Sequence, residues 1–170
     1  GHILEMADAA VLALDADAAR LDRVRQNLER LGLTAELHVG DAARPQDWWN
    51  GRPFDRILAD VPCSASGVVR RNPDIKWLRR PQDIAKFAEQ QAAIVDALWQ
   101  MLAPGGKLLY ATCSIFPEEN AKQIKGFMAR HAEATLLALP EELGEGQLLP
   151  DENHDGFYYA LLQRAQGTTA

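Results

Sequence analysis

Short apolar runs alternate with amphipathic segments along most of the chain, and this alternation restricts the fold more than any other feature. Residues 11–15 and 54–60 are apolar runs that each end in an acid, which is typical of buried strands. Between them, residues 17–31 place Leu and Val at helical spacing, and Gly32 follows as a C-terminal cap. Strands that alternate with helices predict an α/β sandwich with a mainly parallel sheet.

The rest of the chain continues this pattern. We predict further strands over residues 35–39, 107–112 and 156–163, and helices over residues 84–102 and 117–130. Pro104-Gly105-Gly106 is expected to break the first of these helices. The acids after Pro117 suit the positive end of the second helix dipole. We therefore expect one domain over residues 1–164 and a flexible tail over residues 165–170.

Four reactive side chains follow predicted strands directly: Asp15, Asp41, Asp60 and Cys113. Ligands of such sheets bind at the carboxyl ends of the strands, so we expect these four side chains to share one edge. Asp15 either accepts hydrogen bonds from ribose hydroxyls or, like Asp17, caps the next helix. Asp41 either lies near an adenine amino group or belongs to an ordinary turn.

The charge distribution limits how this chain can bind nucleic acid. A net charge of −6 argues against a protein that holds nucleic acid by bulk electrostatics. Residues 69–80, however, contain five cations and one acid, a local patch compatible with RNA if another module supplies most of the affinity. No apolar run approaches the roughly 20 residues of a membrane span, and no cationic leader precedes one. We therefore expect a cytoplasmic protein.

The two cysteines, Cys63 and Cys113, have no companion His or Cys at zinc spacing, so no metal site is predicted. Each follows an apolar run and lies in a loop rich in Ser, Thr, Pro or Gly. They are either buried small hydrophobes or free thiols with a chemical role. One such role is addition of a thiolate to C6 of cytosine, which activates C5 toward a methyl group. The second thiol would then assist release of the product.

The two cysteine segments carry a specific resemblance. Asp60-Val-Pro-Cys-Ser-Ala-Ser-Gly67 and Thr112-Cys-Ser-Ile-Phe-Pro-Glu-Glu-Asn120 resemble the paired motifs of the RNA cytosine-5 methyltransferases. Residues 68–77 are similar to the Sun/Fmu branch of that family, whose bacterial members act on 16S ribosomal RNA. The similarity covers essentially the whole chain.

This resemblance implies a Rossmann-like class I methyltransferase fold, S-adenosylmethionine as the methyl donor and 16S ribosomal RNA as the substrate. It implies that Cys113 is the nucleophile and that Cys63 assists product release. It also implies that Asp15, Asp41 and Asp60 contact S-adenosylmethionine, and that Asp60 helps to polarise the base.

The sequence departs from the family pattern at its beginning. The first strand and the glycine-rich cofactor loop after it have no counterpart here, and neither does the family's N-terminal RNA-binding domain. We therefore expect an N-terminally truncated catalytic domain with impaired cofactor binding. The sheet is expected to lack its first strand between residues 11–15 and 54–60.

The basic segment offers candidate RNA contacts. Arg70, Arg71 and Lys76 are expected to contact phosphates around an extruded base, unless the loop is merely solvated. Trp77 either stacks on RNA or, as we favour, packs the loop against the domain. Glu119, near the end of the second motif, either fixes the loop of the nucleophile or serves the first turn of a helix.

Two other functions fit part of the pattern. An enzyme that methylates exocyclic amino groups would carry an aromatic residue where this chain has Cys63-Ser64. A non-catalytic RNA-binding module would explain the missing glycine-rich loop, but it would not explain the pair of cysteines.

Overall fold

The computed structural model describes residues 1–167, and the chain divides into two compact units, Gly1–Gly51 and a second that begins at Arg52. Residues 165–167 follow the last strand without regular secondary structure. The remainder of the predicted flexible tail, residues 168–170, lies outside the described residues.

The first unit contains two helices and a two-stranded parallel sheet. Its elements are α1 (His2–Met6), β1 (Leu12–Asp15), α2 (Ala18–Leu31) and β2 (Glu36–Val39). The predicted signals at both ends of α2 are confirmed. Asp17 accepts a hydrogen bond from the Ala19 amide at 2.9 Å, and Gly32 ends the helix with a φ of 66°. Leu21 and Leu28 are the buried residues of α2.

The second unit contains a five-stranded sheet with helices. Its elements are β3 (Phe54–Asp60), α3 (Ile75–Leu78), α4 (Pro81–Gln100), β4 (Leu102–Thr112), α5 (Ala121–Arg130), β5 (Ala134–Leu137), β6 (Gln147–Leu148) and β7 (Phe157–Arg164). The strand order is β3-β4-β7-β5, and β6 also pairs with β7. β3 and β4 are parallel, whereas β7 is antiparallel to β4, β5 and β6. The predicted α/β class is confirmed, with antiparallel pairing at the carboxyl-terminal end.

The core of the second unit is built on β4, the long central strand. Leu108 and Tyr110 of β4 and Leu162 of β7 are completely shielded from solvent. Trp99 of α4 and Phe127 of α5 meet edge to face with ring centroids 5.1 Å apart, a preferred aromatic geometry. These contacts fix the strand that leads into the second cysteine.

Two predicted helix boundaries were wrong. The helix predicted over residues 84–102 runs instead from Pro81 to Gln100, because Asp83 caps it through the Arg80 amide. Leu102 is buried and pairs with Phe54, so Pro104-Gly105-Gly106 lies within β4 and does not form a helix break. A register shift opposite this segment accommodates it.

The helix predicted from Pro117 begins only at Ala121. Residues 117–120 form a turn in which the side chains of Glu119 and Asn120 are fully buried and hydrogen-bonded to Ser64 and Thr112. β5 and β6 were not predicted; both are short and depend on β7 for their backbone partners.

Candidate active site at two cysteine loops

The two cysteines meet at the carboxyl ends of adjacent parallel strands. β3 ends at Asp60 and β4 at Thr112, and the Val61 amide continues the pairing by donating to the Ala111 carbonyl at 3.3 Å. We call residues 61–67 the Cys63 loop and residues 113–120 the Cys113 loop. The Sγ atoms of Cys63 and Cys113 lie 3.4 Å apart, and both are free thiols. This distance is within hydrogen-bonding range for sulfur.

The environment differentiates the two thiols. The hydrogen bond from Cys63 lowers the pKa of Cys113 to about 7, against the opposing effects of burial and of the Asp60 and Glu119 charges. The same hydrogen bond, together with burial, raises the pKa of Cys63 above its ordinary value. Of the two thiols, Cys113 is therefore the one that ionises more readily, and Cys63 is the one that keeps its proton.

Asp60 is an exposed carboxylate at the end of β3, close enough for its charge to act on Cys113. An exposed carboxylate can accept hydrogen bonds from amino or hydroxyl groups of a ligand. The structure thus brings three of the predicted site residues, Asp60, Cys63 and Cys113, to one edge of one sheet.

A pair of glycines holds the Cys63 loop against the chain before β7. The Gly67 amide donates to the Cys113 carbonyl, and the Gly156 amide donates to the Gly67 carbonyl, both at 2.8 Å. A Cβ atom on Gly67 would lie 2.1 Å from the Gly156 carbonyl oxygen, a distance that excludes any side chain. The last residue of the first motif must therefore be glycine for the two loops to pack.

Next to the cysteines lies a buried polar cluster of Glu119, Ser64 and Ser114, which was not predicted from the sequence. Glu119 is completely buried and accepts hydrogen bonds from the Ser64 amide and from the hydroxyls of Ser64 and Ser114. The alternative that Glu119 fixes the loop of the nucleophile is therefore the one the geometry supports. The available signal in the sequence was the serine that directly follows each cysteine.

Gln91 and Arg79 also support the Cys63 loop, and sequence reasoning gave neither this role. Gln91 of α4 donates to the Pro62 carbonyl at 2.9 Å. Arg79 donates from Nε to the Ser64 carbonyl at 2.9 Å, and its guanidinium lies 5.4 Å from the centre of the Phe87 ring. Neither contact has a local sequence signal, because the partners lie many residues apart.

The other two predicted ligand residues, Asp15 and Asp41, lie at the ends of β1 and β2 in the first unit. Asp15 accepts a hydrogen bond from the Asp17 amide at 2.8 Å, and Asp41 accepts one from the Ala43 amide at 2.9 Å. Asp17, rather than Asp15, caps α2. Each of the two carboxylates has one oxygen in a local turn and remains partly open to solvent, which suits acceptance of hydrogen bonds from ribose hydroxyls or an adenine amino group.

Trp48 covers the turn at Gly40 and Asp41. Its indole Nε1 donates to the Asp41 carbonyl at 2.9 Å, and a Cβ atom on Gly40 would lie 2.9 Å from the indole ring. Trp48 therefore packs against this turn.

Two of the candidate RNA contacts also have a structural role. Arg70 and Arg71 both form ion pairs with Asp155, which is buried next to Gly156. Both arginine side chains nevertheless remain more than half exposed, so part of each is accessible. Lys76 on α3 is exposed.

Trp77 is 86% exposed, so the interpretation that it packs the loop against the domain was wrong. The segment is anchored by the neighbouring Arg79 instead, since that side chain reaches both the Cys63 loop and α4. Trp77 is therefore free to present an aromatic face at the surface.

Within residues 1–167, no cluster of three or more His, Cys, Asp and Glu side chains is arranged to hold a metal ion. The helices described there include none with the length and apolar character needed to span a membrane.

Known proteins resemble this chain over nearly its full length. Ribosomal RNA small subunit methyltransferase B of Vibrio cholerae is 56% identical over 165 residues, which cover 96% of this chain and 38% of that protein. The corresponding protein of Shewanella oneidensis is 53% identical and is covered to 40% of its length. The chain therefore spans about two fifths of the length of these curated relatives.

Solved structures give the same result for the fold. NSun6 from Pyrococcus horikoshii, determined with SFG, is 30% identical with a TM-score of 0.77, over 93% of this chain and 42% of that one. A methyltransferase homolog protein from the same organism has 29% identity and a TM-score of 0.74, over 92% of this chain and 54% of that one. The predicted Rossmann-like methyltransferase fold is confirmed. The sequence model of the 16S rRNA methyltransferase RsmB/F family matches residues 1–163, and the chain belongs to that family.

Proposed function

We propose that this chain is the catalytic part of a protein that carries out S-adenosylmethionine-dependent methylation of cytosine C5 in 16S ribosomal RNA, with Cys113 as the nucleophile. The observation that carries the proposal is the thiol pair, in which Cys63 lies 3.4 Å from a Cys113 whose pKa is lowered to about 7. A nucleophilic thiolate near neutral pH is what addition to a cytosine ring requires. Membership of the RsmB/F family supports ribosomal RNA as the substrate.

The first step belongs to Cys113. Its thiolate adds to C6 of the extruded cytosine, and the new S–C6 bond places electron density on C5. S-adenosylmethionine, when bound, supplies the methyl group that C5 takes. Asp15 and Asp41 are the proposed ligands of this cofactor in the first unit, because each presents a partly exposed carboxylate at a strand end. Asp60 is a further proposed cofactor contact, as the resemblance of its motif implies, and it also polarises the base.

Cys63 serves the release of the product. The C5 proton passes to Cys63 while Cys63 passes its own thiol proton to the departing Cys113 sulfur. The S–C6 bond breaks, the C5–C6 double bond re-forms, and both cysteines return to their starting state as the product leaves and Cys113 loses its proton to water. The hydrogen bond from Cys63 to Cys113 supports this direction of proton transfer.

The RNA is held locally by the basic segment. Lys76 and the outer faces of Arg70 and Arg71 are the proposed phosphate contacts, and the exposed ring of Trp77 is a candidate for stacking on a base. Because the net charge is −6, most of the RNA affinity is proposed to come from a separate N-terminal RNA-binding domain. The proposed location is the cytoplasm, where ribosomal RNA is available.

The test is methyl transfer to unmodified 16S ribosomal RNA from labelled S-adenosylmethionine. It is run with the chain itself and with a hybrid in which the chain replaces the matching 165 residues of the Vibrio cholerae relative. In the hybrid, Cys113→Ala should lower transfer by at least about a thousandfold, as expected for loss of a covalent nucleophile. Cys63→Ala should instead accumulate a covalent protein–RNA adduct that survives denaturing gel electrophoresis. Full turnover in both single variants would exclude the two-cysteine mechanism.

A further inference from the structure

We propose that Glu119 is a positioning residue that fixes the Cys63 loop and the Cys113 loop at the separation that lets Cys63 hydrogen-bond to Cys113. The catalytic significance of this role rests on the proposed function. The hydrogen bonds of Glu119 do not depend on it. Glu119 touches neither sulfur and acts through the serines that follow the two cysteines.

One carboxylate is bonded to the residue after each cysteine. Oε1 of Glu119 accepts hydrogen bonds from the Ser64 amide at 2.8 Å and from Nε2 of Gln91 at 3.2 Å. Oε2 accepts from the Ser64 hydroxyl at 2.6 Å and from the Ser114 hydroxyl at 2.5 Å. Because Ser64 follows Cys63 and Ser114 follows Cys113, Glu119 links the two loops directly behind the thiols.

Ser66 is the third serine of the cluster. Each hydroxyl hydrogen of the three serines can be assigned to one acceptor. The hydroxyls of Ser64 and Ser114 each have one hydrogen, and each is used toward Oε2 of Glu119. Ser66 lies 3.1 Å from both of those hydroxyls, and the geometry allows it to donate to the Ser114 hydroxyl. It also accepts from the Ile115 amide at 3.0 Å. Every hydroxyl hydrogen in the cluster therefore has an acceptor.

The cluster is buried, so its hydrogen bonds cannot be replaced by water without opening the loops. Ser64, Ser114 and Glu119 are completely shielded from solvent. A buried carboxylate is tolerated only when hydrogen bonds satisfy it, and its buried donors are equally costly to leave without an acceptor. Truncation of Glu119 would leave the Ser64 amide and the hydroxyls of Ser64 and Ser114 without their acceptor. The loops would then separate or admit water.

The carboxylate has two effects on Cys113, of opposite sign. By fixing the loops it maintains the hydrogen bond from Cys63, which is the largest factor that lowers the pKa of Cys113. Its negative charge, however, raises the pKa of Cys113. Asp60 also raises it by charge, and Cys63 is the third ionisable group that faces the thiol. The positioning effect and the charge effect can therefore be separated by two substitutions at one residue.

Glu119→Ala removes both effects, whereas Glu119→Gln removes mainly the charge. In the glutamine variant the amide oxygen can still accept from the Ser64 amide and Gln91, and the serine hydroxyls can reverse to accept from the new NH₂ group. Glu118 supplies the matched control, since it is the adjacent glutamate, lies at the surface and pairs with Lys122. Glu118→Ala and Glu118→Gln make the same chemical changes without touching the cluster.

The experiment measures alkylation of Cys113 by iodoacetamide as a function of pH in the 170-residue chain, followed by mass spectrometry of the Cys113 peptide. The parent midpoint is expected at about pH 7. Glu119→Ala should raise the midpoint by about one pH unit or more, which slows alkylation at pH 7 by about fivefold. Glu119→Gln should leave the midpoint unchanged or lower it, and both Glu118 variants should match the parent.

Folding is checked in each variant by circular dichroism and thermal unfolding. A folded Glu119→Ala variant with the parent midpoint would overturn the proposal. If Glu119→Ala does not fold, Ser114→Ala decides the question, because it removes one of the two hydroxyl donors while leaving the carboxylate in place. A raised midpoint in Ser114→Ala supports the proposal, and an unchanged one overturns it. The assay contains neither RNA nor methyl donor, so its outcome is independent of whether the chain methylates RNA.

Discussion

The strand ends of the two units are held in different ways. In the first unit, Asp15 and Asp41 bond to amides two residues further along the chain, and their carboxylates stay partly exposed. In the second unit, Cys63 and Cys113 meet across a gap of 50 residues, and a buried network holds their loops. Local turns suffice to present a hydrogen-bond acceptor. The differentiated pKa values of two thiols require contacts from distant parts of the chain.

The largest effect is expected when the two cysteine loops of the second unit are forced apart. Gly67→Ala would drive a Cβ atom into the Gly156 carbonyl, 2.1 Å away, so the backbone must move. We expect a loss of about 2–4 kcal/mol in the free energy of unfolding, typical of overpacking at a site that cannot relax. Urea denaturation followed by circular dichroism measures it.

Gly126→Ala is the control for that variant. Gly126 lies inside α5, and the nearest atom to an added Cβ is the end of the Arg130 side chain at 3.5 Å. Alanine should stabilise this helix by about 0.5–1 kcal/mol. Equal stability of the Gly67→Ala and Gly126→Ala variants would contradict the close packing of Gly67.

The second test removes the donor to Cys113. Cys63→Ala deletes the hydrogen bond that most lowers the pKa of Cys113, while burial, Asp60 and Glu119 continue to raise it. The pKa should therefore rise from about 7 toward its ordinary value of 9.0. The thiolate exists above the pKa, so alkylation of Cys113 at pH 7 should slow by about tenfold or more.

Cys63→Ser keeps a donor near the same position and should give a smaller shift of the alkylation midpoint. An alanine variant that still reacts with a midpoint near 7 would show that the Cys63 hydrogen bond is not what activates Cys113.

The third test addresses the exposed carboxylates of the first unit. If Asp15 accepts hydrogen bonds from the cofactor ribose, Asp15→Ala should weaken binding of S-adenosylmethionine by about tenfold, the usual size of one charge-assisted hydrogen bond. Calorimetry on the hybrid protein measures this. Asp22→Ala changes an exposed acid of α2 that pairs only locally with Arg25, and it should leave the affinity unchanged. Equal affinities in both variants would remove Asp15 from the cofactor site.

The smallest expected effect concerns a purely local contact. Asp17→Ala removes the acceptor for the Ala19 amide at the start of α2, and loss of such a cap costs about 1 kcal/mol. Thermal unfolding detects a change of this size. Asp22→Ala again serves as the control, with an expected change below about 0.5 kcal/mol. A stability loss from Asp22→Ala that equals that from Asp17→Ala would mean that general charge, and not the cap, stabilises the helix.

The elements that were predicted correctly have local signals. Both ends of α2 were visible in the sequence, because an Asp at the N-cap and a Gly in the left-handed conformation act within one turn of the helix. The strand that ends at Asp60 was equally clear from its apolar residues and its terminal acid. The errors fell where a distant partner overrides local preference. Pro104-Gly105-Gly106 belongs to a strand because Leu102 pairs with Phe54.

The same division applies to the candidate site. Resemblance in the two motifs identified Cys63 and Cys113, and the sheet topology implied that they follow neighbouring strands. No local pattern indicated that Gln91 and Arg79 support the Cys63 loop, since each reaches it from a separate part of the chain. The packing of Trp77 against the domain was predicted wrongly for the same reason. Arg79 anchors this segment instead, through contacts with Ser64 and Phe87 that the local sequence does not indicate.

Local signals in the sequence predicted the strand ends, the helix caps and the candidate site residues, because strand periodicity, caps and motif residues act over a few positions. The tertiary structure adds the contact that makes the two thiols unequal, with the pKa of Cys113 lowered and that of Cys63 raised. That difference arises from a 3.4 Å contact between two sulfurs. Hydrogen bonds to one buried carboxylate join the loops that make the contact, and such bonds exist only after burial has excluded water.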